Sequence, residues 1–144
     1  MGRPSKKAGT PVEIKQELEH SEDTSESSNF DEDVNMYEEM FTAIMTATDN
    51  ENRPLHTSFQ LVPSKKKYPE YYDVIESPID LKMIATKIQN NDYGGLLELE
   101  KDLLLMTKNA CLFNEPGSQI YKNAKALKKV EYVLWLILVC KCCL

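Results

Sequence analysis

The chain has 144 residues, 42% hydrophobic and 28% charged, with a formal net charge of −6. That length suits one domain of the common size of about 100–150 residues, and the apolar fraction can build a core, which excludes collagen-like and wholly disordered chains. The charge is uneven: residues 1–33 hold most of the acidic excess and the remainder is close to neutral, so the chain lacks the surplus of Lys and Arg that a general nucleic-acid binder uses to neutralise phosphates.

The first stretch, 1–30, mixes Ser, Glu, Lys, Pro and Gly without sustained periodicity, and reads as a disordered acidic leader. It contains a small basic cluster (Arg3, Lys6, Lys7) and, at Ile14-Lys15-Gln16-Glu17, a pattern that resembles a SUMO attachment site. It has no apolar run of the kind a signal peptide requires.

From Asp31 the pattern turns helical. Val34, Tyr37, Met40, Phe41, Ile44 and Met45 recur at three- and four-residue spacing, with Asp31, Glu32 and Asp33 where the helix dipole favours negative charge. This helix is expected to end near Asp49-Asn50. The connection that follows, Glu51 to Ser77, is long for a bundle and carries Pro54, Pro63 and Pro69 with Phe59, Tyr68, Tyr71 and Tyr72. A loop of that length and aromatic content points to function.

A second helix is expected to start with Ser77 as cap, Pro78 at its first position and Asp80 near the free amides, with Ile79, Met83, Ile84 and Ile88 as its apolar stripe. Asn90-Asn91-Asp92 and Gly94-Gly95 stop it. A third helix runs from about Leu96 to Leu112, and Asn114-Glu115-Pro116-Gly117-Ser118 forms a turn. Ser118 caps a fourth helix whose inner face takes Ile120, Ala124 and Leu127. Together these elements predict an all-α fold, an antiparallel four-helix bundle in which the long first loop and the Asn114 turn meet at one end.

That shared end offers apolar walls, an amide and a phenol, with no charged partner evident inside. Such a site suits a small neutral polar group on an aliphatic stem, and acetyl-lysine fits: acetylation removes the ammonium charge and leaves a methyl, an amide carbonyl and an apolar chain.

At these residues the sequence resembles the bromodomain family of acetyl-lysine readers. The motifs are Phe59-Gln60-Leu61-Val62-Pro63, Tyr68-Pro69-Glu70-Tyr71-Tyr72, Ser77-Pro78-Ile79-Asp80-Leu81 and the stretch from Asn109 to Tyr121, in the family's order. The resemblance implies a left-handed bundle over 31–130 and a nuclear role as a histone reader within a chromatin-remodelling complex of SWI/SNF type. By the same resemblance Asn114 holds the acetyl carbonyl and Tyr71 reaches it through a water. Phe59 and Val62 form the loop wall, Ile120 stands beside the lysine stem, and Tyr68 shapes the rim. Phe113 stands where many members have Tyr. Lys65, Lys66 and Lys67 read as a solvated loop face that could touch DNA phosphates beside an acetylated tail.

No enzyme activity, cofactor or metal is expected. His20 and His56 are isolated, Cys111 lies in an apolar run, and Cys140, Cys142 and Cys143 crowd the end, where they could close no useful disulfide loop. The tail 131–144 departs from the family: Val133 to Cys140 is apolar all round, well short of the ~20 residues of a membrane span. It reads as the end of a truncated or alternatively spliced product that weakens the bundle or promotes association. The competing reading is a structural fragment in which the altered fourth helix leaves the pocket unformed.

Overall fold

A computed structural model describes residues 24–143. The basic cluster and the Lys15 pattern lie outside the described residues. Helix α1 spans Thr24–Thr46, a 3-10 turn Thr57–Phe59, α2 Pro69–Val74, α3 Leu81–Gln89, α4 Leu96–Phe113 and α5 Gln119–Cys143. Among the described residues there is no β-strand, only an isolated bridge between Thr48 and Pro54.

The four longer helices form the bundle, and α4 with α5 makes its largest interface. Met40 and Ile44 of α1, Ile84 of α3, Leu99 and Leu103 of α4, and Leu127 and Leu138 of α5 are fully buried. These are the three- and four-residue repeats of the sequence: each helix turns its apolar stripe inward because removing that area from water drives packing.

Three boundaries differ from the sequence reading. Helix α1 begins at Thr24, ahead of Asp31, and ends at Thr46, ahead of Asp49. Its first turns are polar in sequence, so no apolar period marks them. Its end is set by Asp49, whose Oδ1 accepts from the amides of Glu51 (2.8 Å) and Arg53 (3.0 Å) and folds the chain into a turn with Asn52 at φ 64°. The expected start of the second helix is also corrected. The cap of α3 is Asp80, whose Oδ1 accepts from Met83 N at 2.8 Å. With the helix beginning at Leu81, its buried face is Leu81 and Ile84, and Met83 is 45% exposed.

Asp102 ties the end of the bundle remote from the long loop. Its Oδ2 accepts from Tyr93 Oη at 2.7 Å and from Lys87 Nζ at 2.9 Å, joining α4 to the α3–α4 connection and to α3. Burial and this carboxylate push the Tyr93 phenol far above its ordinary pKa, so it stays a donor. At the other end Gly117, at φ +93°, provides the left-handed residue that the short α4–α5 turn requires.

Helix α5 passes without a break through residue 131, where the sequence marks the start of the atypical tail. Leu138 is fully buried and Leu134 and Trp135 pack against the core, while Tyr132, Val133, Leu136 and Ile137 face solvent. The run therefore buries one side and exposes the other, as its all-round apolarity implies.

Candidate functional site

The long connection and the Asn114 turn do meet. They enclose a cavity of about 310 Å³ between the 3-10 turn, α2, the start of α3, the end of α4 and the start of α5. All six residues singled out from the sequence, Phe59, Val62, Tyr68, Tyr71, Asn114 and Ile120, line it.

Each is placed by local chemistry. Phe59 closes the 3-10 turn, its N–H donating to His56 O at 2.8 Å, and its ring is buried. Val62 is fixed by its amide, which donates to Asp80 Oδ2 at 2.8 Å. Pro69 sits in the first turn of α2, where a missing N–H costs nothing, and the six-residue helix carries Tyr71 inward. The Tyr71 ring packs edge-on against Phe113 (centroids 4.9 Å apart) and Tyr72 (5.3 Å). Tyr68, by contrast, is half exposed at the rim. Ile120 enters from the first turn of α5, where Ser118 Oγ accepts from Tyr121 N at 3.3 Å.

Asn114 ends α4 in an extended conformation, φ −97° and ψ 151°. Its backbone N–H and its side-chain Nδ2 both donate to Ala110 O, at 3.0 and 2.9 Å. This double contact fixes the amide and leaves a second N–H and the amide oxygen for a ligand. The Tyr71 hydroxyl has no hydrogen-bond partner among the described residues and is not enclosed. Burial, with Tyr72 and Asp80 adding, raises its pKa, so it remains a neutral phenol able to donate and accept.

One feature corrects the expectation of walls without charge, since buried Asp80 lines the cavity. Its oxygens, however, accept the amides of Val62 and Met83. Asp80 therefore acts as a brace between the long loop and α3. Two further braces hold that loop: Tyr72 Oη donates to Pro63 O at 2.6 Å, and Asn109 Nδ2 donates to Ser77 O at 2.9 Å. The braces from Asp80 to Val62 and from Asn109 to Ser77 carry no local sequence signal, because they join residues 18 and 32 positions apart. Leu61, Pro63, Ile79, Met106, Ala110 and Phe113 complete the apolar lining. Lys65, Lys66 and Lys67 are exposed on the loop, with Lys65 Nζ 5.3 Å from the Tyr72 ring centroid. Among the described residues no group of three or more His, Cys, Asp or Glu could hold a metal ion, and no helix is long and apolar enough to cross a membrane.

Comparison with known proteins agrees with this architecture. The bromodomain family profile matches residues 38–126. The chain is 40% identical over 90 residues to the ATP-dependent helicase brm of Drosophila melanogaster, covering 60% of this chain and 6% of that protein. It is 34% identical over 97 residues to the chromatin structure-remodeling complex subunit rsc4 of Schizosaccharomyces pombe, covering 67% of this chain and 18% of that one. The fold resembles the solved bromodomain of human BAZ1A, with a TM-score of 0.64 at 24% identity over 73% of this chain and 92% of that one. The chain belongs to the bromodomain family. It spans only a small part of the two curated relatives.

Proposed function

We propose that this chain reads acetyl-lysine in histone tails as part of a SWI/SNF-type chromatin-remodelling subunit, in the nucleus and without catalysis. The observation that carries the reading is the Asn114 amide, pinned at Ala110 O with a free N–H, on a cavity walled by apolar side chains. The acetyl carbonyl would accept from Asn114, the methyl would lie by Phe59 and Val62, and the aliphatic stem would pass Ile120 toward the rim at Tyr68. An unmodified lysine would lose its hydration beside Asp80, whose oxygens already accept two backbone amides.

The wording of Pro63 to Pro69 and of Asn114 to Ser118 resembles a bromodomain of polybromo, and this supports placing the chain in a PBAF-type complex. The remodelling-complex relatives support the coarser assignment. The exposed Lys65–Lys67 run could add weak contact with nearby DNA phosphates. The continuous α5, with Ala124 and Leu127 fully buried behind Ile120, favours a formed pocket over a non-binding structural fragment.

The test is calorimetry with acetylated and unmodified histone-tail peptides. The chain is expected to bind the acetylated forms, and Asn114→Ala to abolish binding while the circular dichroism and thermal transition stay unchanged. Undiminished affinity in Asn114→Ala would refute the assignment.

A further inference from the structure

The solvent side of α5 changes character along its length. Lys125, Lys128 and Lys129 are exposed, and none forms an ion pair among the described residues. One turn on, Tyr132 and Val133 are 61% and 54% exposed, and Leu136 and Ile137 continue the stripe. Leu104 of α4 lies alongside, and with the three lysines, Tyr132 and Val133 it bounds a groove of about 540 Å³ that shares no residue with the acetyl-lysine cavity; Leu136 and Ile137 extend the exposed apolar stripe beyond it. The one acid on its wall is Glu100, set against three lysines, so the groove is net positive.

We propose that this groove docks an acidic amphipathic helix of a partner protein. The apolar positions 132, 133, 136 and 137 repeat at four-residue spacing, so they present a stripe along a helix into whose flank another helix can lay its apolar side. The three lysines on the rim would then meet carboxylates flanking the partner's stripe, which fixes orientation and speeds encounter. Such a basic rim stands out in a chain of net charge −6. Nucleic acid fits less well: phosphates would match the lysines but leave Tyr132, Val133, Leu136 and Ile137 in water. A second copy of this chain fits less well too, since two-fold pairing on the groove would bring two sets of lysines into one interface.

The test uses the full chain with three probes: a synthetic amphipathic helix with a leucine stripe flanked by glutamates, the same peptide with lysines for glutamates, and a random-sequence DNA duplex. Fluorescence anisotropy gives affinity, amide chemical shifts give the site, and sedimentation gives the association state. The glutamate peptide is expected to bind, shifting the amides of Leu104, Lys129 and Val133. The double variant Lys125→Glu, Lys129→Glu should weaken it by about tenfold or more, and Val133→Asp should also weaken it. All three sites are exposed, so folding should survive, which a thermal melt checks. Asn114→Ala should leave this binding unchanged, separating the groove from the acetyl-lysine pocket. Equal binding of both peptides, no binding, tighter binding of DNA at the groove, or self-association that Val133→Asp abolishes would each overturn the proposal.

Discussion

Asp80 shows how one side chain can serve fold and site together. Its two oxygens accept amides from Met83 in its own helix and from Val62, 18 residues earlier, so the carboxylate both caps α3 and clips the long loop to it. Asp80→Ala would orphan both donors. The expected cost is about 2–4 kcal/mol of stability, read by urea unfolding, with weaker acetyl-peptide binding because Val62 loses its anchor. Tyr71→Phe isolates the opposite case. The ring contacts with Phe113 and Tyr72 survive and only an unpartnered hydroxyl is lost, so the melting temperature should hold while peptide affinity falls by about 2- to 13-fold, one hydrogen bond's worth of ~0.5–1.5 kcal/mol. At this scale the wall residues were legible in sequence, because aromatic and apolar types in a long Pro-rich loop have few other uses. The role of Asp80 was not. A Ser-Pro-x-Asp start satisfies capping chemistry in two registers, and the one adopted is marked by the Asp80–Val62 contact, which local pattern cannot see.

Among the elements, α5 carries the least orthodox residue. Glu131 is fully buried, and neither carboxylate oxygen has a hydrogen-bond partner among the described residues. Burial first, then the nearby charge of Glu100, pushes its pKa up to about 8 from an ordinary 4.5, with Lys128 pulling weakly the other way. A carboxyl whose folded pKa lies above its unfolded one costs nothing while both states are protonated. The penalty grows as pH rises from 4.5, where the unfolded chain begins to ionise, and levels off above about 8. Denaturant titrations should therefore show stability falling through that window by roughly 3–5 kcal/mol relative to Glu131→Gln, which keeps the shape and removes the titration. Parallel pH profiles for the two proteins would contradict this. Glu131→Met should be the most stable of the three at pH 8, since it buries no unpaired polar atom. Helix existence was legible here, because the repeats at Leu99, Leu103, Ala124 and Leu127 have one sensible period. Helix ends were not: polar turns such as those from Thr24 follow the helix without announcing it.

At the scale of the whole molecule, the two ends of the bundle have separate duties. Ile120 lines the candidate cavity from the first turn of α5, and Leu138 is fully buried near that helix's far end, about 27 Å away at 1.5 Å per residue. The cavity end is built from loops held by side-chain braces. The far end is built from packed side chains and the Asp102 cluster. Truncating Leu138 to Ala removes core volume without touching a lining residue, and should cost about 2–5 kcal/mol of global stability. The folded fraction should still bind acetylated peptide with the parental affinity. Because ligand that binds only the folded state adds RT ln(1 + [L]/Kd) whatever the starting stability, saturating peptide should stabilise Leu138→Ala and the parent by equal free energies, and Asn114→Ala by none. Denaturant unfolding of all three, with and without peptide, reads both quantities at once. If Leu138→Ala lost affinity as Asn114→Ala does, while remaining folded at the assay temperature, the apolar half of α5 would have to be counted part of the binding site.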